Sequence, residues 1–255
     1  MRNYAREHQS DNFIFGIHAI SEAIEAAKDI EKVLVQRGAQ NEQIKGIVSK
    51  MKGLKIPFNQ VPLEKLNSVT KKNHQGIIAY ISPIQYASLD HVIENAYSNG
   101  KDPFLVILDR ITDVRNFGAI ARSIECAGAD AIVMQSRGNA MIGADAMKTS
   151  AGALNMVPVC REENLKDTIM HLKSSGIRVI ACTEKTDKLI YETELDGPLA
   201  IIMGSEEDGI SPEYLKLCDA LAKIPIVGKI ESLNVSVSTG IILYEAWRQR
   251  QAGSK

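Results

Sequence analysis

The sequence predicts an α/β protein in two parts, a small α/β domain followed by a larger one built on a parallel sheet. Three observations predict it. Between residues 104 and 226, apolar runs too continuous for half-exposed strands alternate with segments of helical spacing. A shorter alternation of the same kind fills residues 13–82. A mostly polar stretch separates the two, with Pro83 and Pro103 at its ends.

In the first part, "GIHAISEAIEAA" has helical spacing and "KVLVQ" is a short strand. "NEQIKGIVSKMKG" is a helix with Asn41 as N-cap and Gly53 as stop. "IPFNQV" is strand-like, "PLEKLNSV" opens a helix with Pro62 in its first turn, and "GIIAYIS" is a strand. The expected boundaries are a loose tail over 1–12, a domain over 13–82, a linker over 83–102 with a short helical segment, and a second domain over 103–255. In that second domain the strands are "FLVILD", "AIVMQ", "MVPVC", "RVIACT", "LAIIMG" and "AKIPI". The helical segments are "NFGAIARSIECAG", "ADAMKTSAGA", "NLKDTIMHLKSSG" and "SPEYLKLC", with a last helix starting near Asn234.

Composition excludes several classes. No apolar run approaches the ~20 residues that span a bilayer, and the polar N-terminus "MRNYAREHQSDN" lacks an apolar core. A cytoplasmic protein is expected. Cys126, Cys160, Cys182 and Cys218 form no C-x-x-C pair, and each lies in or beside an apolar run. They are expected as small buried hydrophobes in a reducing compartment. The five histidines never pair at ligand spacing, so no metal site is expected. The net charge of −1 argues against generic nucleic-acid binding, but the charge is uneven. Residues 1–90 carry 12 Lys/Arg against 9 Asp/Glu, and the remainder 18 against 22. Lys45, Lys50, Lys52, Lys55, Lys65, Lys71 and Lys72 fall within residues 43–72 with Glu64 as the single acid. Such a run is either a solvated face or a phosphate-contacting surface.

Ligands of parallel α/β sheets bind at the carboxyl ends of the strands. The sequence speaks against a dinucleotide site there, because neither G-x-G-x-x-G nor G-x-x-x-x-G-K-[ST] occurs, which leaves room for a nucleotide held without a pyrophosphate cradle. In "GSEEDG" acids fill the space between the glycines and would repel a phosphate. Three segments remain as candidates. In "LDRITDVRNFGAIARSIECAGAD", Asn116 can cap a helix on which Gly118 and Arg122 lie one above the other. Gly118 either admits a close approach to the site or serves helix packing, and Arg122 either reaches that space or pairs with Glu125. In "LAIIMGSEEDGISPEY", Gly204, Ser205, Glu206 and Glu207 follow a strand, as solvated loop or polar pocket. In "IPIVGKIESLNVSVSTG", Ser232, Leu233 and Asn234 sit between a strand and the last helix, whose Ser236 and Gly240 form a small face.

"DVRNFGAIARSIECAGADAIV", "MGSEEDGIS" and "IPIVGKIESLNVSVSTGIILYEAWRQR" resemble, in this order and spacing, the three motifs of the SpoU class of S-adenosylmethionine-dependent RNA 2′-O-ribose methyltransferases. "MKTSAGALNMVPV" resembles the segment between the first two motifs. Residues 13–82, with "FGIHAI" and "NHQGI", look like the class's substrate-binding domain, similar to the L30e/L7Ae RNA-binding fold. One departure stands out, Val114 where the class commonly has proline.

The resemblance implies a trefoil knot closed by the last helix (the SPOUT fold), a homodimer, and RNA as substrate. It points to methylation of a ribose 2′-hydroxyl, nearest to members that act on a guanosine of 23S ribosomal RNA. Transfer RNA, another ribosomal nucleotide, or a non-catalytic RNA-binding protein of the same fold are the alternatives. Arg122 is implied as the central catalytic residue. A guanidinium stays protonated, so it is expected to bind a substrate phosphate or the nascent alkoxide rather than act as base. Asn116, Glu206, Ser232 and Asn234 would orient it and the hydroxyl. Thr183, Gly204, Ile224 and Leu233 would form the S-adenosylmethionine site. Lys45, Lys50, Lys52, Lys55, Lys71 and Lys72 would contact RNA. The dimer contact is expected at the small face of the last helix and at "DVRNFGAIARS".

Overall fold

The structure, a computed structural model, describes residues 13–252, so the expected tail over 1–12 lies outside the described residues. The chain divides into two compact units with the change-over at Gln85/Tyr86; the short segment 142–144 aside, the second runs from Tyr86 onward.

The first unit runs β1 (Phe13–Phe15), α1 (Ile17–Glu25), β2 (Ile30–Gln36), α2 (Glu42–Gly53), β3 (Phe58–Val61), α3 (Leu63–Val69) and β4 (Ile77–Ile81). The sheet order is β1-β4-β2-β3, with β2 and β3 parallel and the other pairs antiparallel. Ile17, Ile20, Ala23 and Ile24 of α1 and Ile44, Ile47 and Met51 of α2 bury the helical stripe that the sequence spacing promised. They pack on Val33, Val35, Ile77 and Ala79, while Leu34, Ile78 and Leu66 form a smaller cluster. Asn41 caps α2 as expected, accepting from the Gln43 N–H at 2.8 Å. The "NHQG" turn has a structural task. The Gln75 Oε1 accepts from Ile17 N–H at 2.9 Å and so caps α1. His74 Nδ1 accepts from Gly76 N–H at 3.0 Å, which leaves Nε2–H to donate to Asn67 Oδ1 at 3.0 Å.

The second unit begins earlier than the sequence suggests. Within the expected linker, Tyr86–Ala87 form β5 and Leu89–Ser98 form α4. Leu89 and Ile93 are buried in this unit's core, so the stretch is part of the scaffold rather than a tether. A two-residue strand and one helix on a sheet edge leave no periodic signature long enough to reveal their docking. There follow β6 (Phe104–Leu108), α5 (Val114–Ala127), β7 (Ala131–Gln135), α6 (Ala144–Thr149), β8 (Val159–Glu162) and α7 (Leu165–Ser174). The remainder is β9 (Arg178–Cys182), β10 (Leu199–Met203), α8 (Pro212–Leu215), β11 (Ala220–Ala222) and α9 (Val235–Ala252). The strands make one parallel sheet in the order β11-β9-β10-β6-β7-β8-β5. Strands β6 and β10 are buried at every position, as continuous apolar runs in a covered sheet must be. The last strand ends at Ala222, so Ile224 to Ile226 of the expected strand "AKIPI" belong to the connection that leads to α9.

Helix α9 packs along α5. Its far end is stapled to the sheet: Gln249 accepts from Leu195 N–H at 2.8 Å and donates to Thr193 O at 3.1 Å. Arg250 donates to the carbonyls of Gly197 and, at 2.7 Å, Asp102, and stacks over the Phe104 ring at 4.9 Å. Among the described residues no helix is long and apolar enough to cross a membrane.

Gly118 serves packing rather than a ligand. A Cβ there would lie 2.8 Å from Thr149 Cβ and 2.9 Å from the Ala146 carbonyl oxygen, against the end of α6. Gly118→Ala should therefore cost about 1–3 kcal/mol by overpacking. Equilibrium urea unfolding measures it; an unchanged midpoint contradicts the packing assigned to Gly118.

Candidate active site at the carboxyl ends of the strands

The ends of β9 and β10, the connection after β11 and the first turn of α9 enclose a cleft of about 740 Å³. This is the crevice a parallel sheet offers to ligands, at a size suited to a nucleoside. Thr183, Gly204, Ile224 and Leu233, the four expected cofactor positions, all border it. So do Glu206, Ser232 and Asn234.

Gly204 is buried because the chain doubles back on it. A Cβ there would overlap the Gly209 carbonyl carbon and the Ile210 nitrogen. The fold-back is closed by Ser205 N–H to Gly209 O at 3.2 Å, Gly209 N–H to Ser205 O at 3.0 Å, and Asp208 N–H to Ser205 Oγ at 3.1 Å. Any side chain at 204 would push this loop open.

Asn234 joins three segments. Its Nδ2 donates to Asn116 Oδ1 at 3.0 Å and to Glu206 Oε1 at 2.6 Å. Its Oδ1 accepts from Ser236 N–H at 3.0 Å and Ser236 Oγ–H at 2.5 Å, and its main-chain oxygen accepts from Ser238 N–H at 3.0 Å. It thus starts α9 while holding the other two segments. The helix start near Asn234 agrees with the sequence spacing.

Asn116 differs from expectation. The cap of α5 is Asp113, whose Oδ1 accepts from Arg115 N–H at 2.9 Å and Asn116 N–H at 2.8 Å. Asn116 sits in the first turn, and its amide, relieved of capping, reaches Asn234. Val114 occupies the first helical position. There a proline is favoured but its N–H is not needed, so valine preserves the helix.

Arg122 is exposed and does not border the cleft. It has no hydrogen-bond or ion-pair partner among the described residues, so the pairing with Glu125 is not formed. Gly240 of the small face lies against Ser123 of α5, where an added Cβ would stand 3.8 Å from Ser123 Oγ. Ser236 and Gly240 remain half-buried, and the large apolar side chains that α9 leaves exposed are Val237, Tyr244 and Trp247. In the first unit all six candidate RNA-contacting lysines are exposed; Lys45 pairs with Glu42 at 2.7 Å and Lys50 with Glu25 at 3.1 Å.

Asp109 and Arg110 lie behind the cleft-bordering loop and were missed by sequence reasoning, although an acid ending the "FLVILD" run was a signal. Asp109 is 1% exposed and its Oδ2 accepts from Ser211 N–H and Ser211 Oγ–H, both at 2.7 Å. Burial pushes the thiols of Cys160, Cys182 and Cys218 up to about 12, so Cys182, which borders the cleft, stays a neutral thiol at neutral pH; Cys126 is exposed, contrary to expectation.

Residues 103–244 match the model of the SpoU rRNA methylase family, and residues 13–87 match that of the RNA 2′-O ribose methyltransferase substrate-binding domain. The chain belongs to the SpoU rRNA methylase family. It is an S-adenosylmethionine-dependent RNA 2′-O-ribose methyltransferase. The 23S rRNA (guanosine-2′-O-)-methyltransferase RlmB of Photobacterium profundum is 36% identical over 95% of this chain and 99% of its own length. A putative TrmH family tRNA/rRNA methyltransferase of Staphylococcus aureus is 37% identical over 94% of this chain and 97% of its own. The same fold occurs in the SpoU methyltransferase AviRb of Streptomyces viridochromogenes in complex with AdoMet, with TM-score 0.59, 23% identity, and coverage of 94% of this chain and 91% of that one.

The cleft suits S-adenosylmethionine, whose sulfonium and ammonium outweigh its carboxylate. Glu184, Glu206, Glu207, Asp208 and Glu231 border it against Lys223, which favours a cationic ligand over a pyrophosphate. Ile224, Ile226, Ile230 and Leu233 supply an apolar wall for an adenine.

Proposed function

We propose that this protein methylates the ribose 2′-hydroxyl of a guanosine in 23S ribosomal RNA, in the cytoplasm and as a homodimer. The observation that carries the reaction is the bonding of Asn234 to Asn116 and Glu206 at the rim of the cleft. It supplies oriented amide and carboxylate groups at one point. The choice of RNA is supported by the P. profundum relative, whose match runs through both units of this chain.

The cofactor, when bound, supplies a sulfonium-activated methyl group. Thr183, Gly204, Ile224 and Leu233 would hold it, largely through main-chain groups that can read an adenine edge. Asn116, Glu206, Ser232 and Asn234 would fix the ribose hydroxyl in line, and positioning of this kind can supply much of a displacement's rate. Arg122 would bind a substrate phosphate or the developing alkoxide. The exposed lysines of the first unit would hold the RNA backbone and make binding salt-sensitive. The implied trefoil threading of the connection before α9 belongs to the same reading.

The dimer gives Arg122 its place. Val227 is 99% and Ile230 77% exposed beside the cleft, and Val237, Tyr244 and Trp247 extend the apolar surface along α9. A second copy seated on this surface would stand at the cleft mouth and deliver the arginine that this chain's own lining lacks.

The reaction is tested by incubating the protein with labelled cofactor and unmodified ribosomal RNA, then hydrolysing with alkali. A 2′-O-methyl group blocks cleavage at its own nucleotide, so the label should remain in a dinucleotide beginning with guanosine. Label released in single nucleotides would reject ribose methylation, and label gained only with transfer RNA would reject the ribosomal target. Delivery across the dimer is tested by mixing Arg122→Ala and Asn234→Ala chains, each reduced to a few per cent of wild-type activity or less, after dissociation. Random pairing should restore about a quarter of wild-type activity, since half the dimers then hold one complete site. No recovery, with dimers confirmed by sedimentation, contradicts delivery in trans.

A further inference from the structure

Arg110 lies at the end of β6 and does not border the cleft, yet it ties down the loop that does. Its Nε donates to Asp109 Oδ1 at 3.0 Å and its Nη2 to Asp109 Oδ2 at 3.3 Å. The same Nη2 donates to the Gly209 carbonyl at 3.0 Å, and Nη1 to Asp208 Oδ2 at 3.0 Å. Asp109, almost fully buried, holds Ser211 just beyond the loop. Two neighbouring residues at one strand end therefore grip Asp208, Gly209 and Ser211. The grip is held against a cost, because Arg110 has φ +58°, in the left-handed region that a side chain of this length rarely adopts. The hydrogen bond to Asp109 is the main reason the guanidinium holds its proton more tightly than an ordinary arginine.

We propose that Arg110 is a positioning residue for the methyl-donor cleft. It fixes the main chain of residues 205–209, so that the cleft wall and Glu206 are set before the cofactor arrives. This rests on the reading of the cleft as the S-adenosylmethionine site. Three directions of donation from one planar group require the guanidinium fork, which a lysine ammonium does not provide. The contact with Asp208 contributes little, since that carboxylate is 69% exposed and the pair is solvent-screened. The bonds to the Gly209 carbonyl and to buried Asp109 do the fixing.

The test compares Arg110→Ala and Arg110→Lys with the full-length wild type. Arg110→Ala should weaken S-adenosylmethionine binding by about tenfold in calorimetry, raising the KM for cofactor more than it lowers kcat. In the cofactor-free protein the Ser205, Asp208 and Gly209 amides should lose protection from hydrogen exchange. Arg110→Lys, which keeps the charge but not the fork, should fall between. If Arg110→Ala lowers the melting temperature but leaves affinity and loop exchange unchanged below it, the residue is merely structural and the proposal is overturned. If the wild type itself binds no S-adenosylmethionine, the reading of the cleft fails instead. The exchange comparison, made without cofactor, still decides whether Arg110 fixes the loop.

Discussion

One side-chain amide holds the site together. Asn234 spends both hydrogens of its Nδ2 on residues 118 and 28 positions away, Asn116 and Glu206, and its oxygen on the start of its own helix. Only an amide offers two donors and an acceptor on so short a stem. Aspartate would lose both donations and face Glu206 with like charge, whereas alanine would uncap α9 as well. The bond to Glu206, at 2.6 Å, is of the short, charge-assisted kind. Because these groups are exposed, each bond alone is worth little. Their value lies in sharing one atom cluster, so that ordering one segment orders the others.

The scaffold exists to bring those three segments to one place. A parallel sheet delivers the ends of β6, β9 and β10 to the same edge. Beyond β6, Asp113 takes over the capping of α5 and leaves the Asn116 side chain for Asn234. Beyond β10, Gly204 lets the loop double back and present Glu206. At the other end of the last helix, Gln249 and Arg250 anchor α9 to carbonyls that precede the amino ends of β6 and β10. The helix that carries Asn234 is thus fixed along its length before any ligand binds, which lowers the ordering cost of binding.

Much of this was legible in the sequence. The fully apolar runs of β6 and β10 and the 117, 120, 121, 124 stripe of α5 follow from burial, which composition and spacing record directly. The cleft-bordering positions Thr183, Gly204, Ile224, Leu233, Glu206, Ser232 and Asn234 came from motif order. What escaped depended on partners distant in sequence. The three-residue β1 and two-residue β5 exist only because β4 and β8 pair with them. Asp113 and Asn116 are both good caps, and local spacing does not choose between them. Gly118 offered two meanings until Thr149 and Ala146 were found against it. Arg110 was invisible as a site residue because its partners Asp208 and Gly209 lie about a hundred positions on.

Asn116, Glu206 and Asn234 act as one unit. A double-mutant cycle on kcat/KM tests it most directly, using Asn116→Ala, Asn234→Ala and the double variant, each shown to be folded. Losses should be strongly non-additive, the double variant being little worse than Asn234→Ala alone, with a coupling of about 1–3 kcal/mol. Additive losses, with coupling below about 0.5 kcal/mol, would contradict it.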